Sequence, residues 1–447
     1  MSAPFQELHA ARRSLLPGLL SPHRWRISLV VVGLLFLFVL TTLGFTMHLH
    51  RYLSAAALSA LPVLSQSTGP EDGDSLKLFN ISAGSLTASF IPYGARLTHL
   101  LVPDRDGVLQ DVAIGFDDPH DYVRDTLTDH TYFGTVVGRY ANRIKNGTFY
   151  IDGKKYVVPK NENDGLNTLH GGFVGYDQRN WTILSHTENS ITFSLLDPGW
   201  EDFPGTVLTQ LTFTVDTDVT PLNPKGKPQL TAKLVSQALT EKTPIMLSNH
   251  IYWNLNAFRE PNVLNDILHL PRAHRYVETD GILVPTGKIA RVAHTKRGTL
   301  DFTKPKPIGR DIEYAVDLCG TGCTGYDNCF INDEPRKPGA TVPILHLYSP
   351  ATGITLDVAS NQPALQIFTC DNYDGHVPVK PSQKKRNEDA GFGGVDGINQ
   401  YACVVIETQG WIDGINHPEW RQKQVFGPRD EPTVNIAAFQ FGTKKHK

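Results

Sequence analysis

The sequence lacks the charge excess that would indicate a polyanionic partner. Its 447 residues carry 42 Lys and Arg against 45 Asp and Glu, which gives a formal net charge of -3. A protein that neutralises nucleic-acid phosphates needs a broad basic surface, and this balance supplies none. We therefore expect no nucleic-acid partner.

The motifs of several enzyme classes are also missing. The chain contains no G-x-S-x-G nucleophile elbow, no phosphate-binding P-loop, no G-x-G-x-x-G after a strand and no H-E-x-x-H. These absences argue against serine hydrolases of that type, nucleotide-dependent enzymes and zinc peptidases. No motif of these kinds indicates a cofactor or a metal.

Cysteine is scarce, with five residues in the chain: Cys319, Cys323, Cys329, Cys370 and Cys403. Because the number is odd, at least one thiol must be free or paired with another chain in an oxidising compartment. The cluster from Cys319 to Cys329 offers one intrachain disulfide. It has no C-x-x-C pair or His partner that would complete a zinc site.

Long apolar runs are limited to one segment, residues 27–47, which is long enough for a helix to cross a bilayer. Four arginines precede it and one follows closely, so the positive-inside rule places residues 1–26 in the cytosol. The sequence thus predicts a single-pass type II membrane protein whose large C-terminal part is lumenal or extracellular. The alternative is secretion after signal cleavage near the small residues Ser54 to Ala57.

The remaining chain divides into a stem and a folded domain. Residues 48–74 are predicted as a stem or linker, because their later part is rich in Ser, Ala, Pro and Gly without periodicity, and the domain covers residues 75–447. Three N-x-[ST] sequons follow the anchor and are candidate glycosylation sites, at Asn80, Asn146 and Asn180. Glycans at these positions would fit a lumenal domain.

Strands dominate the pattern of the domain. Segments beginning at Ile191, Leu211, Gln229 and Gly353 alternate apolar and polar residues and are separated by turn residues. Together they predict an all-β fold, a large antiparallel β-sandwich. The polar, Gly-rich stretch from His376 to Gly397 is expected to be a mobile loop that fills no core.

A histidine lies on a polar strand face in the segment PIMLSNHIYWNL. Strand alternation places His250 with Ser248 and Tyr252 on one face, and Ile251 and Trp253 on the other. An imidazole can exchange a proton near neutral pH, as a general acid or base must. The alternative is a structural histidine with its hydrogen bonds satisfied.

A carboxylate ends an apolar run in ACVVIETQGW, where Glu407 follows residues typical of a central strand. A buried carboxylate is costly unless it is paired or hydrogen-bonded, so this position needs an explanation. One is a base with a shifted pKa, and the other is an ion pair or a solvated carboxylate at a strand end.

Further polar residues suit a pocket for hydroxyl groups, with Trp253 and Trp411 as flat surfaces for the C–H faces of a sugar. These candidate binding residues are Asn142, Arg143, His170, Asp327 and Gln366.

Seven segments occur in one order along the chain: GRYANRI, LHGG, SNHIYWNL, ILVPTG, YDNCF, LQIFT and IETQ. In this order they resemble the aldose 1-epimerase (galactose mutarotase) family, from about residue 75 to about residue 441. The resemblance implies a mutarotase-like supersandwich, a cofactor-free reaction and a free monosaccharide as substrate. It also implies that Glu407 is the catalytic base and His250 the catalytic acid, with the five polar residues named above binding the sugar.

Three other functions are alternatives to anomer exchange. A carbohydrate-binding module of the same fold would need no acid/base pair. A glycoside hydrolase would need two carboxylates, for which Asp327 and Glu407 are the available residues. A hexose-phosphate epimerase would need additional cations near the pocket, and no Arg or Lys motif supplies them.

Overall fold

Short strands joined by tight turns build the part of the chain that the computed structural model describes, which is residues 75–221, 223–333 and 340–445. All of these residues belong to one compact unit, Ser65–Lys447. No helix in this part is both long enough and apolar enough to span a bilayer. The predicted anchor at 27–47, the cytosolic segment and the stem lie outside the described residues.

The strands have the following bounds in the first half of the domain: β1 Phe79–Ala83, β2 Leu86–Ile91, β3 Arg96–Pro103, β4 Leu109–Asp111, β5 Thr135–Val137, β6 Arg143–Ile144, β7 Thr148–Ile151, β8 Lys154–Val157, β9 Thr168–Leu169, β10 Thr182–His186, β11 Ser190–Asp197, β12 Val207–Asp216, β13 Gln229–Ala238, β14 Thr243–Pro244, β15 Ser248–His250 and β16 Tyr252–Trp253. The second half contains β17 Ile267–His269, β18 Arg275–Thr279, β19 Pro285–Arg291, β20 Lys306–Pro307, β21 Asp327–Ile331, β22 Val342–Tyr348, β23 Ile354–Ser360, β24 Ala364–Phe368, β25 Asp374–Pro378, β26 Gly397–Asn399, β27 Val404–Gln409, β28 Val425–Phe426 and β29 Thr433–Thr443. Two short α-helices complete the described part, α1 Pro119–Asp125 and α2 Pro381–Asp389.

Two large antiparallel sheets form the body. One has nine strands in the order β10-β11-β12-β13-β29-β23-β22-β17-β20, and the other has six in the order β16-β27-β24-β21-β18-β19. A four-stranded sheet, β1-β2-β3-β4, adds to the first part of the domain. The four alternating segments noted in the sequence are β11, β12, β13 and β23, so their prediction as strands is confirmed.

The core lies between the two large sheets. Phe213 and Phe439 of the nine-stranded sheet belong to the same buried cluster as Ile367 and Ile406 of the six-stranded sheet. Trp253 at the edge of the smaller sheet packs on Phe439, with the ring centroids 5.0 Å apart. Side chains that interdigitate between two sheets in this way define a sandwich, as the sequence predicted.

The stretch from His376 to Gly397 differs from its prediction as a mobile loop. It forms most of β25, the helix α2 and the start of β26, and Val377 and Val379 are buried in a second hydrophobic cluster. Gln383 and Asn387 on α2 are also buried. The prediction was wrong because Lys380, Gln383 and Asn387 are buried polar residues that donate hydrogen bonds to the body of the domain, a pattern that hydropathy does not reveal.

An ion pair attaches this segment to the sandwich. Lys380, just before α2, places its ammonium 2.8 Å from the Asp111 carboxylate, and the two side chains are 0% and 2% exposed. The ammonium also donates to the backbone carbonyls of Thr98 and Ala113. Every donor of the lysine is thus used inside the protein.

Loss of this contact should destabilise the domain. We expect Lys380→Ala to lower the free energy of unfolding by about 3–5 kcal/mol, because it leaves the Asp111 carboxylate buried without its cation. Equilibrium unfolding in urea measures this change. The exposed Lys385, which pairs with Asp389 on the same helix, is the matched control, and Lys385→Ala should cost less than about 1 kcal/mol. Equal effects of the two changes would contradict the packing described here.

Candidate active site

Glu407 lies in the middle of β27, on the face of the six-stranded sheet that points away from the shared core. Val404 and Ile406 belong to that core, and alternation along the strand turns Glu407 to the opposite side. Its cross-strand neighbour on β24 is Gln366. β27 continues to Gln409, so Glu407 is not the solvated carboxylate at a strand end that one of the two interpretations described.

His250 comes to the same place from another strand. It ends β15, which pairs with β5, and the chain then breaks its strand geometry at Ile251 before β16 begins. The predicted alternation is therefore interrupted, and residues on both predicted faces are buried. His250 and Tyr252 still share a side, with their rings 5.1 Å apart.

The two titratable side chains meet inside the protein. His250 Nε2 lies 3.6 Å from Glu407 Oε1, and the side chains are 7% and 3% exposed. Neither His250 Nδ1 nor Glu407 Oε2 has a hydrogen-bond partner in the described structure. Burial raises the pKa of Glu407 to about 8, with the Asp327 carboxylate adding to the rise, and burial lowers the pKa of His250 to about 3.

Asn142 and His170 hold each other in position. The backbone N–H of His170 donates to the Asn142 carbonyl at 2.9 Å, and the backbone N–H of Asn142 donates to His170 Nδ1 at 3.1 Å. Both residues have left-handed backbone conformations, with φ of 57° and 50°. Such conformations cost about 1–3 kcal/mol and are typical of functional sites.

Arg143 is held between two carboxylates. Its guanidinium makes a fork to Glu162, with the closest N–O distance at 2.7 Å, and lies 3.8 Å from Asp327. Asp327 in turn accepts from Gln366 Nε2 at 2.6 Å. The planar guanidinium is thereby fixed with little freedom.

These side chains surround one cavity of about 310 Å³, which is lined by Glu407, His250, Asn142, Arg143, His170 and Asp327. Gln366 is linked to it through Asp327. The aromatic part of the lining consists of Tyr132, Tyr252, Phe368 and Tyr373. The structure thus brings the sequence-predicted catalytic and binding residues together around a single pocket.

The predicted aromatic surfaces, Trp253 and Trp411, are elsewhere. Trp253 is fully buried in the sandwich core, and Trp411 packs against Trp420 with ring centroids 5.6 Å apart. The reasons differ: alternation with Tyr252 in β16 turns Trp253 to the core, and Trp411 lies in the loop that follows β27.

Several pocket residues were missed in the sequence, among them Tyr132, Glu162 and Asp371. Tyr132 precedes the GRYANRI segment and contacts His170 and His250 with its ring, at centroid distances of 4.8 and 5.8 Å. Its left-handed φ of 59° is a signal that only the structure reveals. Glu162 and Asp371 lie in segments without a distinctive pattern and reach the cavity through loop geometry.

Two groups of the described side chains in the cavity have the spacing of metal ligands, but Cys319 and Cys323 of one group, which also contains Asp371, are joined in a disulfide. Ligand atoms of His170, His250 and Glu407 lie within 4.8 Å of one another. Burial lowers the pKa of His170 well below its ordinary value, with the neighbouring His250 and Arg143 acting in the same direction, so its ring is neutral. Since Nδ1 accepts from a backbone N–H, the ring proton occupies Nε2, which makes this nitrogen a donor rather than a metal ligand. The cluster therefore fits a hydroxyl group better than a cation.

Sequence comparisons relate this chain to known proteins. The family model described as aldose 1-epimerase matches residues 77–431. A probable aldose 1-epimerase of Arthroderma benhamiae is 54% identical over 379 residues, which cover 82% of this chain and 86% of that protein. The galactose mutarotase of Rattus norvegicus is 32% identical over 355 residues, covering 78% of this chain and 90% of that protein.

The chain belongs to the aldose 1-epimerase family. It is an isomerase that interconverts the anomers of sugars. A solved aldose epimerase homologue from C. elegans has the same fold, with a TM-score of 0.68, 26% identity and coverage of 83% of this chain and 99% of that chain. The galactose 1-epimerase of Lactobacillus acidophilus shares the fold with a TM-score of 0.62 and 22% identity, covering 86% of this chain and 100% of that one. The mutarotase-like β fold implied by the sequence motifs is therefore confirmed.

The buried carboxyl of Glu407 should make the epimerase less stable at high pH. A folded-state pKa raised to about 8 from 4.5 gives stability that is full below pH 4.5 and is lost as the pH rises through 8. We expect Glu407→Gln to raise the free energy of unfolding by roughly 2–4 kcal/mol at pH 9 and by much less at pH 5. Urea unfolding at both pH values measures this.

The exposed Glu188 is the control, and Glu188→Gln should change stability equally little at both pH values. A Glu407→Gln domain that is no more stable than the wild type at pH 9 would show that the carboxyl is not a desolvated group.

Proposed function

We propose that His250 and Glu407 are the acid and base that open and reclose the ring of free hexoses such as glucose and galactose. The observation that carries this proposal is the pair of buried side chains that share one cavity while each keeps an unpaired polar atom, Glu407 Oε2 and His250 Nδ1. Buried polar atoms are rarely left without partners unless a ligand supplies them.

The reaction requires two proton transfers. In ring opening, Glu407 removes the proton of the anomeric hydroxyl while His250 protonates the ring oxygen, and the C1–O5 bond breaks to give a carbonyl at C1. Rotation about C1–C2 presents the other face of the carbonyl. In closure, Glu407 returns its proton to the carbonyl oxygen, His250 takes the proton from the O5 hydroxyl, and C1 is inverted.

The pair must therefore hold one proton in total. The pKa of Glu407 is shifted upward and that of His250 downward. At neutral pH and without sugar, the two side chains therefore hold one proton between them, and it lies on the carboxyl. Catalysis needs it on the imidazole. A sugar whose anomeric hydroxyl donates to Glu407 stabilises the carboxylate, and this favours transfer of the proton to His250.

The remaining polar residues are proposed to hold the hydroxyl groups. Arg143, Asn142 and His170 offer N–H donors, while Asp327 and Gln366 offer oxygen acceptors. Gln366 Oε1 is buried without a protein partner, which suits an acceptor for a sugar hydroxyl. Such donors and acceptors around an aromatic lining are typical of carbohydrate pockets.

The charges of the cavity favour an uncharged sugar over a phosphorylated one. Arg143 is the only Lys or Arg among the described residues that line the cavity, and it is already bound to Glu162. A hexose phosphate would thus meet several carboxyl groups and no free cation. A glycoside hydrolase is also disfavoured, because Asp327 is bound by Gln366 and lies beside Arg143.

Removal of either catalytic group should abolish most of the activity. For fresh α-D-glucose or α-D-galactose followed by polarimetry, we expect Glu407→Gln and His250→Asn each to lower kcat by about 10²- to 10⁴-fold, since a positioned acid or base contributes this much. Arg143→Ala should raise KM as well, because the guanidinium is proposed to hold hydroxyls. Glu188→Gln is the control and should behave as the wild type.

The binding-module alternative gives a different result in the same assay. A wild-type domain that binds hexose but leaves mutarotation at its uncatalysed rate would rule out catalysis by this pair.

We also propose that the enzyme is a single-pass type II membrane protein with a lumenal or extracellular domain, or is secreted if the N-terminal segment is cleaved. Two disulfides, Cys319–Cys323 and Cys370–Cys403, support an oxidising compartment. The first falls in the cluster that the sequence singled out, and Cys329 stays unpaired and buried. Of the candidate glycosylation sites, Asn80 and Asn146 are exposed and Asn180 is half-buried.

The location can be tested with the full chain in microsomes. We expect external protease to remove only the N-terminal segment, and glycosidase treatment to lower the apparent mass of the protected domain. Asn80→Gln and Asn146→Gln should each remove one step of that mass change. A domain that is unglycosylated and digested from outside the microsomes would contradict a lumenal location.

A further inference from the structure

Asp371 is a carboxyl group of the cavity wall that the proposed anomer exchange does not use. Asp371 lines the pocket and is 6% exposed. Its Oδ1 accepts from the Thr369 hydroxyl at 2.5 Å, whereas Oδ2 is buried without a hydrogen-bond partner. A buried carboxyl oxygen without a partner is unusual in a folded protein.

The local structure holds this carboxyl firmly in place. The preceding residue, Cys370, has a left-handed φ of 55° and is bonded to Cys403, next to β27. Gly325 permits the close approach, because a Cβ at that position would lie 1.9 Å from Asp371 Oδ1. The sulfurs of Cys319 and Cys323 lie within 4.8 Å of the carboxyl on the cavity wall.

Asp371 has no cationic partner among the described residues. No ion pair involves it in the described structure, and the one Arg of the lining is bound to Glu162. Asp327 is the neighbouring carboxylate, and Tyr326 and Tyr401 are the other titratable groups that face Asp371. Burial and Asp327 together raise the pKa of Asp371 to about 8, as expected for an acid that lacks a cation.

The register of β24 orders these groups along the cavity. Gln366 lies opposite Glu407 and Phe368 lies opposite Asp327, while Asp371 follows the end of the strand. A sugar whose C1 lies between His250 and Glu407 would therefore extend along Asp327 towards Asp371. The two carboxyls form one acidic wall beside the non-reacting carbons.

We propose that Asp371 and Asp327 form a subsite for a cationic substituent, so that the enzyme accepts aminohexoses as well as neutral hexoses. An ammonium group would donate to the unpaired Oδ2 in a charge-assisted hydrogen bond and neutralise the acidic wall. A hydroxyl group can supply the donor but not the charge. This inference rests on the proposed function, because it assumes that C1 binds at His250 and Glu407.

The first test compares substrates in the polarimetric assay. The wild type and Asp371→Asn are assayed with D-glucose, 2-amino-2-deoxy-D-glucose and 6-amino-6-deoxy-D-glucose. The kcat/KM for each amino sugar is divided by the kcat/KM for glucose. For at least one amino sugar, we expect Asp371→Asn to lower this ratio by about tenfold. Asp374→Asn is the control, because Asp374 is exposed and the same replacement is made there. It should leave the ratio within about twofold of the wild-type value.

A second test measures protons and needs no variant. At pH 7, an ammonium group that pairs with Asp371 should displace its proton, so the calorimetric enthalpy of binding should depend on the ionisation enthalpy of the buffer for the amino sugar and much less for glucose. Unchanged ratios for both amino sugars, together with equal buffer dependence, would overturn the subsite. Failure of the wild type to accelerate any sugar would instead refute the proposed catalytic function, and the calorimetry would still decide on the subsite.

Discussion

The burial of a carboxyl and an imidazole side by side is the constraint on which the site depends. Taken out of water, neither Glu407 nor His250 readily carries its charge, so the pair tends to hold a single proton between them. Anomer exchange needs this stoichiometry, because each half of the reaction gives one proton and takes one. A more hydrated site would ionise both groups independently and bring them towards their ordinary pKa values.

The sandwich makes this burial possible by holding the two groups from separate strands. Glu407 is in the middle of β27, whose other face packs into the shared core, while His250 is placed by the pairing of β15 with β5. Around them, several pocket residues have left-handed backbones, among them Tyr132, Asn142 and His170. Each such conformation is unfavourable by itself and persists because neighbouring bonds, such as the reciprocal pair between Asn142 and His170, enforce it.

Much of this arrangement follows from the sequence, and the rest does not for identifiable reasons. Alternation in β11, β12, β13 and β23 predicted the sandwich, because period 2 is a local property of a half-buried strand. The unusual Glu407 after an apolar run was visible because burial of a charge is costly. Contacts set by loops were not visible, and Glu162, Tyr132 and Asp371 reach the cavity through turns whose geometry no local pattern encodes.

The structure of the segment around α2 was also not predictable from local sequence patterns. Its polar composition predicted a mobile loop. Lys380 instead forms a buried ion pair with Asp111, which is distant in the sequence, and this pair fixes the segment to the body. Hydropathy measures what a residue prefers in isolation and says nothing of a distant partner. Long-range polar contacts therefore account for the main error in the fold, whereas loop geometry accounts for the residues missed in the site.

The location of the shared proton is the most direct test of how the site works. Infrared difference spectra between the wild type and Glu407→Gln, recorded without sugar across the pH range, report the protonation of this one carboxyl. The predicted result is a protonated carboxyl band at pH 6.5 that disappears with a midpoint near pH 8, and that is replaced by a carboxylate band when hexose is added at pH 6.5. A carboxylate band at every pH above 5, with or without sugar, would contradict a desolvated pair that shares one proton.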